Sequence, residues 1–331
     1  MQDYIKVEKL TKKFGDLTAV ENLSFTVREN EIFGFLGPNG AGKSTTLNII
    51  STLLNADHGE ILVDKYRLPK EENAVKGLIG VVPQEMAVYG ALTVTENISF
   101  FASLYGLRGK ALRAAVAEAL DFVDLSEWTK HRADKLSGGM KRRLNIACGI
   151  AHNPKLIIMD EPTVGVDTKS RELIMNSIRT LRQRGATIIY TSHYMPEVQE
   201  ICDRIAIIDK GKLAAIGTEQ ELLEVVTDQK RLIVDVTAIN NETFESIKKT
   251  LSTMAGVRNV NKLEDSSAIV ITVDIELSDI TPLLSAIIAA EITIKGFRSE
   301  APDLETTFLA LTGSELNKDS DAKTKDKGEV A

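Results

Sequence analysis

Along the first 220 residues, short β-branched and apolar runs alternate with helix-length amphipathic segments, the pattern of a mostly parallel sheet covered by helices. The runs "EIFGFL", "GLIGVVP", "KLIIMD", "ATIIYTS" and "RIAIID" predict strands. "KLIIMD" is apolar at successive positions, as a strand buried on both faces must be. Between Gln84 and His152 the strand pattern stops. "LTVTENISFFASLYGL" opens with Thr93 and Glu96 at capping-box spacing, and "KALRAAVAEALDFVDL" is alanine-rich and amphipathic. A third helix follows "DKLSGG", which predicts an inserted helical subdomain over about 86–152.

Beyond residue 228 the rhythm becomes strand "RLIVDVT", helix "NETFESIKKTLSTM", strands "VRNVNKL" and "SAIVITVDI", helix "DITPLLSAIIAAE" and strand "ITIKGF". Ile280, Leu283, Leu284, Ile287 and Ile288 form one helical stripe. Ile269, Ile271, Val273 and Ile275 alternate with more polar neighbours, predicting a sheet with one buried face. This βαββαβ order predicts a ferredoxin-like accessory domain. A last helix, "PDLETTFLALTG", takes Asp303 as its cap and Gly313 as its stop. The expected organisation is α/β: a large parallel-sheet domain over 1–228, an α+β accessory domain over 229–313, and a tail over 314–331 too poor in apolar residues to order. No internal repeat is evident.

Composition narrows the function classes. At 331 residues, 43% apolar and 26% charged, the chain suits a large domain plus a smaller one. Its formal net charge of -7 argues against general nucleic-acid affinity. No apolar run approaches membrane-span length, and the opening residues lack signal-peptide regions, so neither a membrane crossing nor export of the chain is expected. Cys148 and Cys202 have apolar neighbours and no metal-type spacing, which predicts packing in a reduced interior rather than a disulfide.

The chemistry concentrates in three places. After "EIFGFL" comes "GPNGAGKS", residues Gly37, Pro38, Asn39, Gly40, Ala41, Gly42, Lys43 and Ser44, with Thr45 continuing into a helix. Such a loop turns backbone N–H groups around phosphate oxygens at a helix N-terminus. Lys43 reaches the same oxygens, and the Ser44 hydroxyl ligates Mg²⁺. "KLIIMDE" then delivers Asp160 and Glu161 at a strand's carboxyl end, where open α/β sheets bind ligands. The paired acids divide the work, Asp160 helping to hold Mg²⁺ and Glu161 orienting and deprotonating a water. In "DKLSGGMKRRLNIACGIAH", Ser137, Gly138 and Gly139 form a bare turn before a helix whose first turn carries Lys141, Arg142 and Arg143. Exposed cations there oppose the helix dipole by a few tenths of a kcal/mol up to about 1 kcal/mol each. Two readings stand: an anion nearby, or a solvated basic face.

With these motifs in order, residues 3–226 resemble the nucleotide-binding subunit of an ABC transporter. "LSGGM" is similar to that family's signature loop, which contacts ATP held by the opposite subunit. The resemblance therefore implies that Ser137, Gly138 and Gly139 face a partner's γ-phosphate. It further implies that Gln84 meets Mg²⁺ and water, that His193 contacts the γ-phosphate, that Asp167 in "PTVGVD" crosses the dimer seam, and that Phe14 stacks on adenine. The sequence departs from the family pattern at Met140, where glutamine is commoner, and at Thr168, where proline commonly follows the aspartate.

"SGGMKRR" and "DLETTFLALTG" resemble the ATPases of bacterial drug, antibiotic and ion exporters of the daunorubicin-resistance kind. The implied protein binds and hydrolyses ATP with Mg²⁺ on the cytoplasmic face of a membrane. Its implied partners are a separately encoded permease and a second ATP-binding subunit, identical or closely related. The accessory segment would serve dimerisation or regulation. Two rivals differ in class. A ribosomal or DNA-acting ATPase of this family would carry two cassettes or a long coiled coil, and no heptad run separates Lys43 from Ser137. A non-hydrolysing sensor would lack a base at Glu161.

Overall fold

The computed structural model describes residues 2–225, 229–237, 239–263, 268–300 and 303–313. The expected disordered tail, 314–331, lies outside the described residues. The chain divides into two compact units, Gln220–Ala310 forming one and the remainder the other.

The larger unit opens with β1 (Asp3–Phe14) and β2 (Leu17–Arg28), a long antiparallel pair. β3 (Ile32–Leu36) is buried at every position and leads through the glycine loop into α1 (Lys43–Ile50). β4 (His58–Val63) and β5 (Tyr66–Leu68) join the first pair in a four-stranded antiparallel sheet, β2-β1-β4-β5. The apolar and polar alternation does not announce that sheet. Lys9 and Asn22 adopt positive φ, and the β1–β2 register shifts four times, so the period-2 pattern is repeatedly reset.

After α2 (Glu72–Leu78) come β6 (Ile79–Val82), then helices α3 (Val94–Leu104), α4 (Gly109–Phe122) and α5 (Gly138–Ile150). The capping box of α3 is complete: Thr93 Oγ1 accepts from Glu96 N at 3.2 Å, and Glu96 Oε2 accepts from Thr93 N at 2.8 Å. The chain returns through β7 (Leu156–Asp160), α6 (Thr168–Gln183), β8 (Thr187–Thr191), α7 (Met195–Ile201), β9 (Arg204–Asp209), β10 (Lys212–Gly217) and α8 (Glu219–Glu224).

The five predicted strands form a parallel sheet in the order β9-β3-β8-β7-β6, and β10 adds antiparallel at one edge. Ile157, Ile158, Ile188 and Ile189 are at most 2% exposed, which explains the uninterrupted apolar runs. Each such side chain contributes about 1.5–3 kcal/mol when fully buried. This rigid sheet sets the carboxyl ends of β3, β7 and β8 side by side.

The smaller unit takes in nearly all of α8 and then β11 (Gln229–Val236), α9 (Asn241–Ser252), β12 (Val257–Lys262), β13 (Ala268–Asp274), α10 (Thr281–Ala289) and β14 (Ile294–Glu300), after which α11 (Leu304–Thr312) closes the described chain. Its sheet is antiparallel, in the order β12-β13-β11-β14. Ile269, Ile271 and Val273 pack with Leu283 and Ile287, whereas Ile288 is 62% exposed, so the helical stripe is narrower than the periodicity implied. The sheet is also not buried on one face alone: Ile233, Ala268 and Val270 form a second apolar cluster. Asp303 Oδ1 accepts from Thr306 N at 2.7 Å, capping α11, and Gly313 follows at φ 66°.

Candidate nucleotide site

The turn between β3 and α1 is fixed by backbone contacts. Gly42 has φ 97°, and a Cβ there would stand 2.5 Å from the Ala19 carbonyl oxygen, so only glycine fits. Gly211 N donates to Ala41 O at 3.0 Å, anchoring the loop to the β9–β10 hairpin. Lys43 Nζ donates to Gly37 O at 2.5 Å and Pro38 O at 3.1 Å. Burial pushes the Lys43 pKa down, while the charges of Glu161 and Asp160 pull the other way.

The loop floors a cleft of about 730 Å³. Asn39 to Thr45 line one side, Gln84, Asp160, Glu161 and His193 another, and Phe14 stands at the mouth. Gly37 and Pro38 are not part of the lining; their carbonyls hold Lys43 instead. Sequence reasoning missed Leu17, Thr18, Ala19, Val164 and Lys210, which also line it. Leu17 is 67% exposed beside Phe14 at 48%, an apolar lip. The available signal was an apolar pair flanking the short turn between β1 and β2.

Asp160 ends β7, and its Oδ1 accepts from Thr191 Oγ1 at 2.6 Å. Glu161 then leaves the sheet at φ 48°, a left-handed conformation that costs a non-glycine residue about 1 kcal/mol or more. Surrounding bonds enforce it: Glu161 N donates to Thr191 Oγ1 at 3.0 Å, and Glu161 O accepts from Arg142 Nη2 at 3.1 Å. Glu161 is 5% exposed. Gln84 Nε2 donates to its Oε2 at 2.9 Å, and His193 Nε2 contacts its Oε1. Three residues far apart in sequence thus meet on one carboxylate.

Glu197, which sequence reasoning missed, organises the flank. Its Oε2 accepts from Thr163 Oγ1 at 2.7 Å, Tyr190 Oη at 2.7 Å and Ser192 Oγ at 3.0 Å, and its Oε1 pairs with Arg171 at 3.2 Å. Thr163 follows Glu161, and Ser192 precedes His193. Glu197, 2% exposed, therefore ties together the two segments that present those side chains.

Ser137, Gly138, Gly139 and Asp167 are not among the residues lining the cleft. They gather elsewhere in the same unit. Ser137 Oγ accepts from Met140 N at 3.3 Å at the start of α5, and Asp167 caps α6 by accepting from Ser170 N at 2.9 Å and Ser170 Oγ at 2.7 Å. These bonds hold the Asp167 carboxyl below the usual carboxylate range. A Cβ on Gly139 would fall 2.1 Å from Ser170 Oγ, so the turn and the α6 cap are in contact.

Arg142 and Arg143 do not belong to a solvated face. Arg142 is 2% exposed and donates to Pro83 O, Gln84 O and Glu161 O at 3.1, 2.8 and 3.1 Å. Arg143 Nη1 donates to Val123 O at 2.6 Å and Asp124 O at 2.8 Å. Backbone carbonyls of distant segments solvate two of the three cations in that first turn.

Comparison with known proteins decides the family. Residues 20–164 match the ABC transporter family. The linearmycin resistance ATP-binding protein LnrL of Bacillus subtilis is 41% identical over 312 residues, covering 94% of this chain and 99% of that protein. This chain belongs to the ABC transporter family. The Nod factor export ATP-binding protein I of Burkholderia lata is 33% identical over 312 residues, 94% of this chain and 98% of its own. Among solved structures, a dimeric ATP-binding cassette in a post-hydrolysis state with ADP and phosphate superposes with a TM-score of 0.59 and 28% identity, covering 65% of this chain and 98% of that one. The chain is an ATP-binding, ATP-hydrolysing ABC subunit, as the resemblance implied.

Proposed function

We propose that this chain is the ATPase that powers a separately encoded membrane permease, exporting an antibiotic or another small molecule, as a dimer on the cytoplasmic face. The relatives' names, antibiotic resistance and export, favour transport over a ribosomal or DNA role. Among the described residues no helix is long and apolar enough to cross a membrane, so transport needs a membrane partner. An apolar groove of about 860 Å³ lined by Leu53, Val81, Phe101, Leu104 and Tyr105 supports permease docking beside the loop that carries Gln84. Residues 1–228 form the ATP-binding domain. Residues 229–313 form the ferredoxin-like accessory domain, a reading supported by the β12-β13-β11-β14 order, and it serves dimerisation or regulation.

In the reaction, the oxygen of a water forms a bond to the γ-phosphorus while the bond to the β–γ bridging oxygen breaks. Glu161 takes the proton that the water loses. Gln84 and His193 aim its carboxylate, and His193 faces the γ-phosphate. Lys43 and the loop N–H groups bind the β- and γ-phosphates, and Phe14 with Leu17 receives the adenine. Ser44, Asp160 and Gln84 offer oxygen donors in one cleft, the set a hard cation prefers, and fit Mg²⁺, which would supply charge neutralisation on the phosphates.

One observation carries the dimeric reading. The Ser137–Gly139 turn and Asp167 stand outside the cleft that holds Lys43 and Glu161, so a γ-phosphate gripped from both sides needs two copies. ATP favours the closed dimer because ADP lacks the phosphate that the second copy contacts. Glu161→Gln should slow phosphate release roughly 10²- to 10⁴-fold while retaining ATP and trapping a dimer visible in sedimentation. A Glu161→Gln protein that binds ATP yet sediments as a monomer would overturn this reading.

A further inference from the structure

Arg142 is a nearly inaccessible cation whose side chain makes its hydrogen bonds to backbone carbonyls, two in the segment that carries Gln84 and one at Glu161. Its Nε makes no hydrogen bond among the described residues, so the two terminal nitrogens do all the holding. The same face of α5 grips that segment a second time, three residues on. Asn145 Oδ1 accepts from Ala87 N at 3.1 Å, and Asn145 Nδ2 donates to Pro83 O at 3.2 Å. The helix that begins at the Ser137 turn is therefore clamped to the backbone on both sides of Gln84. Through Arg142 it is also clamped to the peptide that holds Glu161 in its left-handed conformation.

Satisfying three carbonyls does not by itself require a charge; a neutral amide or water would do. A guanidinium presents donors in a fixed planar fork, so it sets the relative position of the groups it bridges. Bound carbonyl to carbonyl, the Gln84 and Glu161 backbones cannot part without breaking that fork. Their side chains meet at 2.9 Å only while this distance is kept.

We propose that Arg142 is a positioning residue that transmits the state of the signature turn, engaged or free, to Gln84 and Glu161 of the same copy. The inference rests on the dimeric reading above: the turn engages the partner's nucleotide, and Arg142 relays that engagement to the cleft of its own copy. Each site then hydrolyses fastest when its own copy's turn is seated on the other nucleotide.

The test is a double-mutant cycle on the full-length protein, measuring phosphate release against ATP concentration together with thermal unfolding. R142K keeps the charge and loses the fork; R142M removes the donors at similar length. Both should lower kcat by about tenfold or more with KM changed less than about twofold, and the lysine variant should melt within a few degrees of the parent. Combining R142K with S137A should slow turnover no more than the worse single change, because both interrupt one path. Losses that multiply in the double variant would overturn the relay. A folded R142K with unchanged kcat, or a kcat loss wholly matched by the unfolded fraction, would show a packing role only. The dimeric reading is checked separately in the same preparations: R142K/E161Q should still dimerise with ATP as E161Q does. If E161Q dimerises while the cycle is multiplicative, the relay alone fails; if E161Q stays monomeric, the reading beneath it fails.

Discussion

Gln84 Nε2 lies 2.9 Å from Glu161 Oε2, so the side chain just beyond β6 directly orients the carboxylate just beyond β7. The amide supplies a donor and no charge. Gln84→Ala should lower kcat by about tenfold to a hundredfold, since it frees the Glu161 carboxylate and removes one of the oxygen donors offered to Mg²⁺ while leaving the phosphate loop intact. Gln84→Glu is the sharper variant. A second carboxylate at this separation disfavours ionisation of both, so the acid limb of the pH–rate profile should move to higher pH. An unshifted limb would separate Gln84 from the base.

The two glycines of the signature turn should respond in opposite ways. At Gly138 a Cβ meets nothing within 4 Å among the described residues, whereas at Gly139 it falls 2.1 Å from Ser170 Oγ and 2.7 Å from Ser170 Cβ. Gly139→Ala must displace α5 from the α6 cap and should cost about 1–3 kcal/mol in urea unfolding. Gly138→Ala should leave the unfolding midpoint unchanged or slightly higher, because alanine is the better helix residue. Yet it should still lower ATP hydrolysis if that open face receives a partner's phosphate. Full activity in Gly138→Ala would argue against that contact.

What the sequence revealed and what it hid divide along physical lines. The five parallel strands and the phosphate loop are specified by neighbouring residues: continuous apolar runs, and glycines followed by Lys43. The antiparallel sheet was hidden by bulges that reset its alternation at Lys9 and Asn22. The sequence leaves Arg142 open between an anion partner and a solvated face because its partners, Pro83 and Gln84, lie 59 and 58 positions away, and burial of a cation depends on where those carbonyls point. Glu197 was invisible for the same reason. Its nearest hydroxyl partner is Ser192, but Thr163 is 34 positions distant, and no local pattern announces a carboxylate that collects three hydroxyls.

That carboxylate should matter for both stability and turnover. Glu197→Ala leaves the hydroxyls of Thr163, Tyr190 and Ser192 without their shared acceptor and removes one partner of Arg171. Losing a buried charge with several hydrogen bonds costs about 3–5 kcal/mol, measurable as a lower urea midpoint. Because Ser192 and Thr163 border His193 and Glu161, the surviving folded fraction should also hydrolyse ATP more slowly. Glu197→Gln, which keeps an acceptor, should recover part of the stability. A folded Glu197→Ala protein with normal kcat would confine the network to packing.

His152 provides a pH-dependent test of the packing beside the helical segment. Its ring stacks on Tyr105 at 3.4 Å between centroids, and Nε2 bonds to the Ile79 carbonyl at 3.0 Å. Burial drives its pKa from 6.5 down to about 4, with the carbonyl bond opposing. A depressed histidine is neutral in the folded chain and protonated in the unfolded one between those two values. The unfolded state then binds more protons, and stability falls as pH drops from about 6.5 towards 4. The loss on crossing that window is on the order of 2 kcal/mol. His152→Phe keeps a ring against Tyr105 and cannot take up the proton. Between pH 7 and pH 4.5 the parent should lose more stability than the variant, read as the difference in urea midpoints, with all other titrating groups common to both. Equal losses in the two proteins would mean that His152 is protonated as readily in the folded chain as in water.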